Sequence, residues 1–479
     1  MRLAIALLLA ASMPAAAAEK AAPIQRRIDA ILDRPALQSA FWGVEVRSIR
    51  TGRILYARNA GKNFKPASTL KVVTTAAALD AFGPDARFRT TVETAGRLDT
   101  LGRIVGDVYL VGGGDPNLSG RFHQGRAIAP FEELAAQMET AGVRRIEGRI
   151  LGHEGLFAGD RRGEDWSWGD LVWCYGAEVS ALALNDNCVD LTVAPGEREG
   201  DAVVIGASPS SSYYRIVSTA TTAPRGGPGQ LRVERDLGGN LIRLSGTHAI
   251  GQKAWQGSVA LEDPARFAAT VFREVLAAKG IAVTGEADTL QAPLPGTRRI
   301  LATLESAPVS ELISTINKTS QNLHTEMLLR LLGARRDGVG TQESGRAAIE
   351  DFLHRIGVRP EAWQLQDASG LSRSDLVSPH EMVTLLVAMD GHPHAAAFRA
   401  SLPIAGVDGT LDSRMKGTAA QGRVQAKTGT IRNVNALAGY ATAPGGERLA
   451  FYAVINHHTA EGSDAVAALD ALATLLAGP

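Results

Sequence analysis

The run Pro66-Ala67-Ser68-Thr69-Leu70-Lys71, continued by Val72-Val73-Thr74-Thr75-Ala76-Ala77-Ala78-Leu79, sets the tightest limit on what this chain can become. It reads as a helix with a serine in its first turn and a lysine one turn later, and residues three apart lie on one helix face. A serine hydroxyl is a weak nucleophile until a base takes its proton. A lysine can be that base only when burial or a second cation lowers its pKa. At a helix N-terminus the unpaired N–H groups and the dipole also favour developing negative charge, as on a carbonyl oxyanion. The geometry suits acyl transfer. The same spacing recurs at Ser413-Arg414-Met415-Lys416, so taken alone it is equally an N-cap serine beside a solvated lysine.

Two further fragments give the first one company. Ser320-Gln321-Asn322 and Lys427-Thr428-Gly429-Thr430 follow it in the chain. Ser-x-x-Lys, then Ser-x-Asn, then Lys-Thr-Gly, in that order, resembles the signature of penicillin-binding proteins and serine β-lactamases. Only nine of the fifty basic residues are lysines, so two of them falling on the two required positions argues against coincidence.

At the N-terminus, Met1-Arg2 precedes an apolar run from Leu3 to Ala11 and then small residues up to Ala18. One basic residue, a short apolar core and a small-residue exit predict a secretory signal peptide over 1–18, with export of the rest to the periplasm. No other stretch approaches the length of a membrane span. Acidic and basic residues balance at fifty each, with no basic block or basic-aromatic alternation, which excludes a nucleic-acid partner. Membrane association is expected to be peripheral at most.

At 479 residues the chain exceeds one ordinary core, so two or three domains are expected. Ile24, Ile28, Ile31 and Leu32 predict a helix; Phe41 to Ser48 and Arg53 to Ala57 predict a hairpin. Beyond Phe88 the chain turns to short β-rich runs punctuated by glycine. Gly112-Gly113-Gly114-Asp115-Pro116 lacks the Lys-Ser/Thr ending of a phosphate loop and reads as a turn. A helix is expected over Phe131 to Thr140, and another opening at Asp263-Pro264, with Asp263 as N-cap and Lys279-Gly280 at its end. From about Ile300 the α/β character returns. Leu312, Ile316, Leu323, Met327 and Leu328 form one apolar helical stripe with Ser320 and Asn322 on another side, and Asp367 to Arg373 is a loop by composition. The Lys427 run, Asn435 to Ala441 and Arg448 to Ile455 predict neighbouring strands, and a final helix begins at Ser463.

Cys174 and Cys188, fourteen residues apart in an exported chain, predict a disulfide, against the alternative of two free buried thiols. The ten histidines are scattered without ligand spacing, so no metal and no cofactor is expected.

Ser68 and Ser320 are separated by 252 positions of β-rich sequence, far more than a compact β-lactamase-like domain needs, which implies an insertion. From about Phe41 onward the chain resembles the class C low-molecular-mass penicillin-binding proteins, the D-alanyl-D-alanine carboxypeptidase/endopeptidase family. The fragments that carry the resemblance are Phe64 to Lys71, Gly113-Gly114-Asp115-Pro116, Tyr175-Gly176-Ala177, Asn185-Asp186-Asn187, Asp367 to Arg373 and Lys427 to Thr430. Ala368, where glycine is more usual, and Gln321 inside Ser-x-Asn depart from the family pattern without removing a reacting group.

The resemblance implies an α/β (α+β sandwich) serine β-lactamase/transpeptidase-like domain with two nested, mainly β inserted domains. Its expected boundaries are 19–87 and 300–479 for the catalytic part, 88–116 and 190–299 for the first insertion, and 117–189 for the second. It also implies a mechanism. Ser68 attacks the carbonyl of a D-Ala-D-Xaa bond, and Lys71, kept neutral by burial and by the charge of Lys427, takes its proton. Ser320 relays a proton to the leaving amine, Asn322 holds the substrate amide, and Lys427 and Thr428 bind a carboxylate. The N–H groups of Ser68 and Thr430, beside Gly429, form an oxyanion hole. Leu371, Arg373 and Asp170 would line a pocket for a diaminopimelate side chain. The implied partners are peptidoglycan peptides, with β-lactams as covalent inhibitors. A β-lactamase, which needs a placed water-activating carboxylate, and a non-catalytic wall-binding protein are the alternatives.

Overall fold

Strand pleating sends alternate side chains to opposite faces, and the chain from Val424 to Asn456 is apolar on both. Tyr440, Tyr452 and Val454 belong to one buried cluster, whereas Leu437, Phe451 and Ile455 belong to another. Such a sheet must be covered on each side. The computed structural model describes residues 23–359 and 362–478 and has this form; the expected signal peptide lies outside the described residues.

The covered sheet joins both ends of the chain. Phe41–Ser48 (β1) and Ile54–Arg58 (β2) combine with Val424–Ile431 (β3), Val434–Thr442 (β4) and Arg448–Asn456 (β5) in the order β2-β1-β5-β4-β3, every neighbouring pair antiparallel. One face packs on Ile24–Leu32 (α1) and on the last helix, Gly462–Ala477, through Ile28, Leu32, Leu469, Leu472 and Leu476. The other packs on Lys71–Phe82 (α2), Val309–Thr319 (α3), Asn322–Asp337 (α4) and Pro379–Asp390 (α5). Residues 71–79 of α2 are buried on every side, as a helix apolar all round must be.

Two helices stand where one stripe was expected. Leu312 and Ile316 lie on α3, Leu323, Met327 and Leu328 on α4, and the break falls at Ser320, which is left-handed at φ 61°. Gln321 then caps α4, its side-chain oxygen accepting from the Leu323 N–H at 2.9 Å.

The chain between the two halves carries its own continuous core, from Val92 to Leu304. Its division differs from the expected one. Ile150–His153, placed by sequence in a separate unit over 117–189, lies between Val108–Val111 and Ala287–Thr289 in one five-stranded sheet. Arg299–Glu305, expected mostly in the catalytic part, closes that same sheet against Arg89–Thr94. Strands of two to four residues, such as Arg97–Leu98 and Ala282–Val283, are too short for alternation to assign. Residues 188–260 contribute two more sheets, of three and four strands. The helix Pro264–Ala278 starts where its proline predicts, but Asp263 is left-handed and makes no cap; its carboxylate accepts from the Thr289 hydroxyl at 2.9 Å instead.

Candidate active site

Ser68 sits in a tight turn, Ala67–Leu70, that feeds directly into α2. The turn forces Ala67 to φ 48°, a conformation that costs about 1–3 kcal/mol for a residue with a Cβ. Neighbouring backbone crowds it: a Cβ on Gly370 would lie 1.9 Å from the Ala67 carbonyl, and one on Gly429 would lie 2.7 Å from the Pro66 carbonyl. Glycine at 429 is thus what lets β3 approach the serine turn.

Lys71 is fully buried, and its Nζ meets three groups: Ser68 Oγ at 2.9 Å, Asn322 Oδ1 at 2.7 Å and the Ser369 carbonyl at 2.7 Å. Two of these can only accept, while the serine hydroxyl can donate. A neutral amine therefore satisfies all three, using two N–H bonds outward and its lone pair for the serine proton. Burial lowers Lys71 to about 7, against the opposing pull of Asp367, Glu326 and Asp375. The expected contribution of a Lys427 charge is not what lowers it: desolvation leads, and the charges that act on Lys71 are carboxylates. Lys427, also fully buried, is itself held well below the ordinary lysine range by burial and then by Lys71. Its Nζ donates to Ser320 Oγ at 2.9 Å and to the Thr428 carbonyl at 2.7 Å.

The three motifs therefore meet, since Lys71 touches Ser68 and Asn322, Lys427 touches Ser320, and Ser320 and Asn322 share one turn. A serine hydroxyl on a buried amine of lowered pKa, with a second serine on another buried lysine, is an arrangement chemically able to carry acyl transfer. A profile of the D-Ala-D-Ala carboxypeptidase 3 (S13) family matches residues 24–476. The chain belongs to this family. A D-alanyl-D-alanine carboxypeptidase of Actinomadura sp. (strain R39) is 36% identical over 466 residues, covering 95% of this chain and 84% of that protein. Penicillin binding protein 4 (dacB) from Haemophilus influenzae superposes with a TM-score of 0.82 at 26% identity, covering 94% of this chain and 98% of that one. A second structure of the Haemophilus protein, complexed with a β-lactam, superposes at 0.77 with 24% identity over the same shares. The fold is that of a penicillin-binding, β-lactamase/transpeptidase-like protein.

In this member of the S13 family the loop 367–373 does more than its composition suggested. Glu326 accepts from the N–H groups of Ala368 and Ser369, so it fixes the backbone that leads into the Ser369 carbonyl on Lys71, while Asp367 holds the N–H of that carbonyl's own peptide at Gly370. Asp367 accepts from the N–H groups of Gly370 and Ser372 and from Trp166 Nε1; Asp375 accepts from that of Gln366. Burial raises Glu326 to about 8 and pushes Asp375 well above the usual carboxylate range. Sequence reasoning did not single out Glu326, Ser369 or Asp375. Glu326, at i+4 from Asn322, was the one with a readable signal, an acid set directly before the apolar run Met327-Leu328-Leu329.

Thr428 bonds Thr410 through its hydroxyl at 2.9 Å, and Asn435 donates to Thr430 Oγ1 at 3.1 Å. Leu371 is buried, and Arg373 reaches across to Asp170, Nη1 to Oδ2 at 3.3 Å; Tyr175 donates to the other Asp170 oxygen at 3.2 Å. Cys174 and Cys188 are joined as a disulfide. Among the described residues no group of three His, Cys, Asp or Glu is placed to hold a metal ion, and no helix is long and apolar enough to cross a membrane.

Proposed function

We propose that this protein is a periplasmic serine DD-peptidase acting on peptidoglycan stem peptides, as a D-Ala-D-Ala carboxypeptidase, a D-Ala-meso-diaminopimelate endopeptidase, or both. The observation that carries the reading is the buried Lys71 amine between Ser68 Oγ and Asn322 Oδ1. Ser68 Oγ attacks the penultimate D-Ala carbonyl while Lys71 takes its proton. The proton that Lys71 took returns through Ser320 to the leaving nitrogen as the C–N bond breaks, which leaves Lys71 neutral again. Thr428 and Lys427 hold the carboxylate of the leaving residue, and the N–H groups of Ser68 and Thr430 stabilise the oxyanion, worth about 3 kcal/mol per donor. Water then cleaves the Ser68 ester and regenerates the hydroxyl. A β-lactam presents the same acyl carbon but keeps its leaving group tethered, so it stays on Ser68; the β-lactam complex of the Haemophilus protein supports this. The disulfide supports an oxidising, exported location.

The test is the intact mass of the mature protein after benzylpenicillin, beside Ser68→Ala. A stable adduct that needs Ser68 is expected. Unmodified protein with intact penicillin would favour a non-catalytic wall protein, and unmodified protein with hydrolysed penicillin a β-lactamase.

Arg373, Asp170 and Leu371 would form the diaminopimelate pocket, the Arg373–Asp170 pair offering one charge to each end of that zwitterion. Arg373→Ala should lower kcat/KM for diaminopimelate-bearing peptides about tenfold, leaving plain D-Ala-D-Ala peptides nearly unchanged. Equal rates on both would remove the pocket from the proposal.

A further inference from the structure

Between Cys174 and Cys188 the chain makes a turn, Asn185–Asn187, in which all three residues are left-handed, at φ 46°, 57° and 57°. Asparagine and aspartate tolerate that region better than other side chains, yet three in succession persist only where the surroundings hold them. What they achieve is to drive the Asp186 carboxylate into the protein beside the Ser320 turn. Oδ1 accepts from His324 Nε2 at 2.8 Å, Oδ2 accepts from Gln321 Nε2 at 2.7 Å, and Arg121 pairs with the same oxygen. Burial alone would raise this carboxyl, but His324, Arg121 and Gln321 outweigh it and keep it ionised. His324 is fully buried, and its Nδ1 has no partner among the described residues. Whether neutral or charged, a ring protonated at Nε2 donates to Asp186 from that nitrogen.

Gln321 is thereby gripped at both ends. Its oxygen accepts from the Leu323 N–H, its nitrogen donates to Asp186, and it lies between the two catalytic side chains of the turn. The same inserted segment also reaches Asn322, whose Nδ2 donates to the Tyr175 carbonyl at 2.8 Å, which leaves Oδ1 facing Lys71. We propose that Asp186 is a positioning residue of the active site: through Gln321 and His324 it sets the orientation of the Ser320–Asn322 turn, so that the insertion holds half of the catalytic geometry. This rests on Ser320 and Asn322 acting as described above.

The test uses rapid-mixing kinetics of benzylpenicillin acylation, which separates the limiting acylation rate from the half-saturating concentration. D186N keeps the shape but turns one acceptor into a donor facing Gln321 and Arg121. Its limiting rate should fall about tenfold to a hundredfold, with the half-saturating concentration, set by the Lys427 side of the site, moving far less. Q321E alone should also slow the step, by opposing two carboxylates. In D186N/Q321E the introduced amide can donate to the introduced carboxylate, and the rate should return to within about threefold of the parent. A D186N enzyme at full rate beside a slow Asn322→Ala control would overturn the proposal. So would a slow D186N enzyme that the second change fails to restore, because a merely structural brace loses active enzyme and is not rescued by reversing one bond. Full-rate acylation by Asn322→Ala would instead strike down the catalytic reading beneath it, and the proposal with it.

Discussion

The chain contains the pattern Ser-x-x-Lys twice, and the two copies have opposite surroundings. Ser68 and Lys71 open a helix buried on every side, and Lys71 meets three polar groups with no access to solvent. Ser413 and Lys416 are exposed, in a turn with Met415 left-handed, on the rim of a groove of about 900 Å³ between α1 and the last helix. Identical spacing therefore yields a buried amine lowered to about 7 in one place and a solvated side chain in the other. Burial within a ring of acceptors makes the chemistry, and the tetrapeptide only permits it.

That contrast can be broken experimentally. Lys71→Ala should slow acylation of Ser68 about a thousandfold, the range expected for loss of a general base, while Lys416→Ala leaves it unchanged. A comparable loss in Lys416→Ala, in the same penicillin assay, would undo the distinction. The pH profile is the next largest effect. Lys71 must be neutral to accept a proton and is protonated below its pKa, so acylation should rise with pH and level off above about 7. Below that point it should fall about tenfold per pH unit. A profile still climbing toward the ordinary lysine range would mean that Lys71 is not desolvated in solution. The glycines that follow sharpen the comparison further. Gly429→Ala places a methyl 2.7 Å from the Pro66 carbonyl, so it should cut kcat/KM about tenfold by moving β3 off the serine turn. Gly417→Ala meets no atom of the described residues within 4 Å and only strains a φ of 73°. It should cost about 1 kcal/mol in urea unfolding and nothing in rate.

The residues proposed to react were legible because acyl transfer leaves little choice of side chain: Ser68, Lys71, Ser320, Asn322 and Lys427 announced themselves by type and spacing. Their supports were not. The Ser320 break escaped because Leu312, Ile316, Leu323 and Met327 keep helical intervals straight across it, and periodicity cannot report a single left-handed residue. Glu326 and Asp375 act on backbone N–H groups, a contact that leaves no pattern in sequence. The insertion was visible as a gap of 252 positions, but its internal pairing was not, since parallel contacts such as Val108–Val111 with Ile150–His153 join short strands far apart in the chain.

The sheet that frames the site has a consequence for how the protein comes into being. β1 is among the first elements synthesised, yet its partner β5 is nearly the last, with Phe41 opposite Asn456. Loop closure on that scale is slow, whereas residues 89–305 pair almost wholly among themselves and can fold first. A nascent chain that has not reached Lys427 carries Ser68 without the strand that completes the proposed site. A product truncated before Lys427 should therefore form no adduct with penicillin, whatever its folded insertion retains.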